Sequence, residues 1–124
     1  MRMQMKPLGD EGALFRLEGE LDAYTGPPLR DDLGRAIEEG ARWLFVDLSA
    51  VQYIDSVGLG ILVGAAKRAV EQEGNLAVLG PPPQVLRVFE VSGTSELLNV
   101  VICLEEAQTK LGCPPLVRGE GEEK

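Results

Sequence analysis

The sequence predicts a single α/β domain. Residues 1–18 form two alternating segments around a turn, the segments after them switch between short apolar runs and helical periodicity, and 124 residues with no break in composition leave room for one core. Strict alternation in Met1-Arg2-Met3-Gln4-Met5-Lys6 gives a strand with one apolar face. It is expected to stop at Pro7 and to lie at a sheet edge, because proline cannot donate to a ladder. Gly9-Asp10-Glu11-Gly12 is turn chemistry, and residues 13–18 return as a strand with Phe15 and Leu17 on one side, so the pair reads as an antiparallel hairpin.

Residues 19–26 read as a loop. Pro27 and Pro28 suit the first turn of a helix whose residues Leu29, Leu33, Ala36 and Ile37 share a face, with Gly40 as its stop. Residues 43–48 are nearly continuous in apolar side chains, as a strand covered on both faces must be, which places them centrally. A short loop leads to a helix over about residues 55–73, with Leu59, Leu62, Val63, Ala66 and Val70 at helical spacing and Gly74 as terminator. The pattern repeats with a strand at 75–79, a break at 80–83 and a helix near 84–92 that buries Val85, Val88 and Phe89. Residues 100–103 read as a short last strand, and 105–111 as a terminal helix stopped by Gly112 and Pro114. The domain is expected over 1–112, a mixed β-sheet with an N-terminal antiparallel edge hairpin and packed α-helices, with 113–124 as a flexible tail.

Composition narrows function. Twelve Lys and Arg against 20 Asp and Glu leave a formal charge of −8, which repels phosphate backbones and anionic lipid, so no nucleic-acid partner is expected. Histidine is absent, which removes Ser-His-Asp triads and His-based zinc sites. Cys103 and Cys113 lie ten apart without a CxxC and with no histidine, so no metal is expected; Cys103 reads as core and Cys113 as tail. The apolar stretch from Val57 to Ala66 is about ten residues where a bilayer needs roughly 20, so no membrane insertion is expected. Without signal-peptide chemistry the expected compartment is the cytoplasm.

The chemistry is concentrated in residues 46–60, a strand, a turn and a helix start built from Asp55-Ser56. Open α/β sheets place their sites at such carboxyl ends of strands. Either Asp55 or Ser56 suits the helix cap, and in its plainest role Ser56 does no more than accept an N–H there. A nucleophile elbow fails for want of Gly at position 54 and of any histidine, and a P-loop fails for want of a Lys-Ser/Thr pair after Gly58-Leu59-Gly60. Asp22 and Asp55 could serve as acid and base, but nothing completes such a site, and their charge disfavours a phosphate ligand, so neither an enzyme nor a cofactor is expected. In the following helix Leu59, Leu62, Val63 and Ala66 can face the sheet. Gly60, Ile61 and Gly64 are left on other faces, where small residues admit a partner backbone.

The set Gly19-Glu20-Leu21-Asp22, Val46-Asp47-Leu48-Ser49, Ile54-Asp55-Ser56-Val57-Gly58-Leu59-Gly60 and Val88-Phe89-Glu90-Val91-Ser92-Gly93 resembles, in order and spacing, bacterial anti-sigma factor antagonists of the STAS family (sulfate transporter and anti-sigma antagonist domain), over about residues 1–112. The resemblance implies that Ser56 is phosphorylated by an anti-sigma factor that is itself a serine/threonine kinase. Asp22, Asp55, Val57, Gly58, Leu59, Gly60, Ile61 and Gly64 would then meet that partner. Unphosphorylated antagonist binds the kinase and frees a sigma factor for transcription, as in a stress response; phosphorylation releases it, and a serine phosphatase resets the cycle. Val57 stands where the family often has Ser or Thr, which leaves Ser56 the sole acceptor of the loop, and Thr94 stands where an apolar residue is usual. The alternative is a non-phosphorylated STAS subunit of a larger assembly, a lipid ABC transporter or a stressosome-like complex, in which Ser56 is only a cap.

Overall fold

The structure, a computed structural model, describes residues 1–116. Its elements run β1 (Arg2–Leu8), β2 (Gly12–Leu21), α1 (Gly26–Glu38), β3 (Trp43–Ile54), α2 (Ser56–Glu71), β4 (Asn75–Leu79), α3 (Pro83–Ser92) and α4 (Leu104–Leu111). The four strands lie side by side in chain order, β1 antiparallel to β2 and the other pairs parallel, which is the mixed sheet with an edge hairpin that the sequence predicts. Helices α1, α2 and α3 cover one face, where Phe15, Leu17, Leu29, Leu33, Leu44, Val46, Leu62, Val85 and Phe89 form the main core. Helix α4 packs on the other face over Leu14, Phe45, Ala77 and Leu79.

Several boundaries move, each for a physical reason. β1 continues through Pro7 to Leu8, with Pro7 opposite Ala13, because an edge strand has an outer side on which a missing N–H costs nothing. β2 runs to Leu21 and β3 to Ile54, so the expected loops at 19–26 and 49–54 shrink to Asp22–Thr25 and Asp55. The apolar signal of β3 fades after Leu48 because α4 covers only part of the second face; Asp47 and Ser49 meet on the uncovered part, while Val51 and Ile54 remain buried. Register shifts at Arg16/Glu18 and Gly19/Glu20 further blur the alternation in β2.

The expected last strand at 100–103 is reduced to one bridge, Leu79 with Val101. Val78 donates to the Leu98 carbonyl and Val101 returns a bond to Val78, so this segment covers the outer edge of β4 without becoming a full strand. The chain then turns away, with Ile102 donating its N–H to Glu106 Oε1 as α4 begins. Cys103, expected in the core, therefore lies exposed at the N-cap of α4. Cys113 is half-buried against the second-face cluster, and burial raises its thiol pKa.

Leu116, in the segment expected to be a tail, is 5% exposed and packs in the cluster that contains Leu8 and Leu14. The rest of that expected tail, 117–124, lies outside the described residues. Shortening Leu116 to Ala removes apolar contact from the second face, and we expect urea unfolding to show a loss of about 2 kcal/mol or more. A Leu116→Ala midpoint equal to wild type would show that this segment contributes nothing to the domain.

Candidate functional site

The candidate site forms where β2 and β3 end together. Asp55, the one residue between β3 and α2, donates its backbone N–H to the Leu21 carbonyl oxygen at 3.2 Å, so the end of β2 and the start of α2 are tied directly. Its φ of −109° and ψ of −175° are extended, and its Oδ1 accepts the Gly58 N–H at 2.9 Å while its carbonyl takes the Leu59 N–H. Asp55 is thus the N-cap that the sequence left open between two residues. Ser56 is the first residue of the helix and exposed, and among the described residues its hydroxyl takes part in no hydrogen bond of the site.

The β2–α1 turn beside it is held by Asp22, whose Oδ1 accepts the Thr25 N–H and the Tyr24 N–H, each at 3.0 Å, and the Thr25 hydroxyl at 3.1 Å. Thr25 Oγ1 also lies 2.7 Å from the Glu20 carbonyl oxygen and 2.9 Å from the Asp22 N–H. The Thr25 N–H, helped by Tyr24 and the Thr25 hydroxyl against a smaller effect of burial, holds the Asp22 carboxyl below its usual range. Asp22 is in this way a residue that shapes the turn, and the turn presents Tyr24 almost wholly to solvent.

The expected partner-facing residues of α2 divide. Val57, Gly60 and Gly64 are exposed, and Leu59 and Ile61 are half-buried against the core. Gly58 is buried: a Cβ there would stand 2.7 Å from the Leu21 carbonyl oxygen and 2.8 Å from Leu21 Cγ. Its place is packing, since only a bare Cα lets α2 come this close to β2, and it offers a partner no surface. Ala65 and Ala69 are buried where the helical pattern singled out Val63 and Val70; Val63 is half-buried and Val70 is 53% exposed.

Beside the exposed glycines lies a groove between α1 and α2 of ≈ 340 Å³, lined by Arg30, Leu33, Gly34, Val57, Gly60, Ile61, Gly64, Ala65 and Arg68. Its α1 wall escaped the sequence reading, because nothing in one helix's periodicity says which neighbour it meets. Gly34, a helix-interior glycine, was the available signal; a Cβ there would meet Arg68 Nη1 at 2.8 Å.

With this geometry in hand, the family is decided by a match to the STAS domain over residues 5–107. The chain belongs to the STAS domain family. It is 38% identical over 85 residues, 68% of its length and 79% of the relative's, to the anti-sigma-B factor antagonist of Staphylococcus aureus. Among solved structures it is similar to the anti-sigma factor antagonist SpoIIAA in its unphosphorylated form, with a TM-score of 0.78, 25% identity, and coverage of 91% of this chain and 99% of that one. The phosphorylated form of the Bacillus cell fate determinant SpoIIAA shares the fold at a TM-score of 0.70 and 23% identity, over 88% of this chain and 97% of that one. Among the described residues no helix is long and apolar enough to cross a membrane.

Two substitutions separate cap from candidate acceptor. Asp55→Ala is expected to cost about 1 kcal/mol in thermal or urea unfolding, as lost caps do, and Ser56→Ala less than about 0.5 kcal/mol; equal losses would mean that the two residues share the cap. Acid titration offers another check. In the folded chain Asp22 holds its proton less tightly than in the unfolded chain, so the unfolded state binds more protons in the acid range. Its contribution to stability is complete above the ordinary carboxylate value of about 4 and is lost as pH falls through the lower folded value. Asp22→Asn should therefore flatten the acid limb of a stability-against-pH curve and leave the slope near neutrality unchanged.

Proposed function

We propose that this STAS domain is an anti-sigma factor antagonist of the partner-switching kind: unphosphorylated, it binds an anti-sigma factor that is a serine kinase, and phosphorylation of Ser56 releases it. The observation that carries the reading is the division of labour at the start of α2. Asp55 caps the helix, so the neighbouring Ser56 hydroxyl is exposed and unneeded by the fold. A side chain in that position accepts a phosphate without the domain having to unfold. The relatives named as anti-sigma factor antagonists, and SpoIIAA with its unphosphorylated and phosphorylated forms, support the same reading.

The site also suits the electrical side of a switch. Phosphate would add about −1.5 to −2 charge at the first residue of a helix, where the N-terminal end of the dipole tolerates an anion and the fold survives. The new charge would lie next to Asp55 and near the Asp22 turn, which the Asp55–Leu21 hydrogen bond brings alongside. A surface that is neutral at one residue would become strongly negative, and a partner shaped for the neutral form would be repelled. The chain itself would be substrate and ligand in this cycle, with a serine phosphatase to restore the free hydroxyl.

Incubation with ATP and each serine-kinase anti-sigma factor from the same genome, followed by intact-mass analysis and peptide mapping, should give a single phosphate on Ser56. Ser56→Ala should still bind that kinase and Ser56→Asp should bind it much less. Equal binding by both variants would sink the proposal.

A further inference from the structure

The α1–α2 groove has a charge opposite to that of the chain that carries it. The protein has 20 acidic against 12 basic residues, yet among the described residues no Asp or Glu lines the groove, and two arginines do. Its remaining lining is small or aliphatic, with Leu33, Ile61 and Ala65 between the walls, Gly60 and Gly64 as places where no side chain stands, and Gly34 under the Arg68 guanidinium. Beyond their own helix backbone and chain neighbours, Gly60 and Gly64 have no described atom within 4 Å of where a Cβ would be, so the α2 wall is open to the approach of a backbone.

The two arginines are only loosely engaged. Arg30 Nε lies 3.4 Å from Asp31 Oδ1, with both side chains more than 60% exposed, and Arg68 Nη2 lies 4.0 Å from Glu38 Oε2, also at the surface. Such exposed pairs contribute little and exchange readily for a better carboxylate. The arginines are staggered along the groove. Gly34 on α1 faces the Arg68 guanidinium, and Arg30 is one turn earlier on α1. At the groove's upper end is Val57, directly after Ser56.

We infer that this groove docks one α-helix of the anti-sigma partner, an apolar ridge flanked by acidic side chains about one turn apart that Arg30 and Arg68 bind. The inference rests on the partner-switching reading above and adds the chemistry of the partner. A helix seats its ridge in an apolar groove by its i, i+3, i+4 residues, and missing side chains at Gly60 and Gly64 let it come close. Forked guanidinium groups then bind its carboxylates, which fixes register. The same chemistry gives the phosphate its leverage: an acidic helix held by two arginines would meet a phosphate on Ser56 at the mouth of the groove as a like charge.

The test measures affinity of the purified, unphosphorylated protein for the purified anti-sigma kinase that binds it, at low and at high salt, with circular dichroism and melting temperature to confirm that each variant folds. Wild-type affinity should fall with salt. The double variant Arg30→Glu/Arg68→Glu should bind about tenfold or more weakly at low salt, with the gap narrowing as salt screens it. Arg30→Lys/Arg68→Lys should recover most of the affinity, and Gly64→Leu, which fills the groove from an open position, should fold normally and lose binding. If the glutamate variant fails to fold, Arg30→Gln/Arg68→Gln is read in its place, with a smaller loss expected. Wild-type affinity in the charge variants, or in Gly64→Leu, overturns the acidic-helix assignment while leaving the switch intact; absence of binding by the wild type to every such kinase overturns both.

Discussion

The close approach of Gly58 to Leu21 is the constraint on which the rest of the site depends. Because position 58 has no side chain, the first turn of α2 rests against the last residue of β2, close enough for the Asp55 N–H to reach the Leu21 carbonyl. That contact sets the height at which α2 begins. It places Asp55 where its carboxylate can cap the helix, leaves the next residue, Ser56, outside the packing, and brings the Asp22 turn alongside. A larger residue at 58 would push α2 away from β2, and cap, turn and exposed serine would lose their common geometry together.

The two sheet faces divide the work. Three helices bury the first face and supply most of the core, and two of them, α1 and α2, meet along the groove beside the site. The second face is only partly covered, by α4 and by Leu116. Its uncovered part is polar and internally paired: Asp47 accepts from Ser49 N–H at 2.9 Å, from the Ser49 hydroxyl at 2.7 Å and from Arg16 Nε at 3.2 Å. Burial alone would raise the Asp47 pKa, but these donors outweigh it and hold the carboxyl below its usual range. A charged residue in the middle of β3 is tolerated there because its partners come with it.

Charge ties fold to function. An acidic chain keeps its carboxylates mostly in solvent or in local pairs, and just beyond the ends of β2 and β3 it uses Asp22 and Asp55 as hydrogen-bond acceptors for backbone N–H groups. Structural use of those two carboxylates leaves Ser56, the first residue of α2, as the variable group of the site, and the groove below it as a region lined, among the described residues, by cations alone among ionisable groups. A modification that changes charge at the serine then acts on a surface whose other charges are set by the fold.

The sequence by itself determined the class and the order of the elements, because alternation in β1 and β2, continuous apolar residues in β3 and helical spacing in α1 to α3 each record how many faces of an element are covered. It also brought out the Asp55-Ser56 pair, since turn and cap chemistry is local. It missed what depends on neighbours distant in the chain. Residues 100–103 are as apolar as a strand, but a departing chain leaves Ile102 and Cys103 in solvent; the segment after 112 has tail-like composition, yet Leu116 finds a hydrophobic cluster. Gly58, Gly60 and Gly64 look alike in one helix, and only the β2 backbone on one side and the open groove on the other make the first a packing residue and the others surface. Periodicity reports whether a position is covered, and only the tertiary structure decides by what.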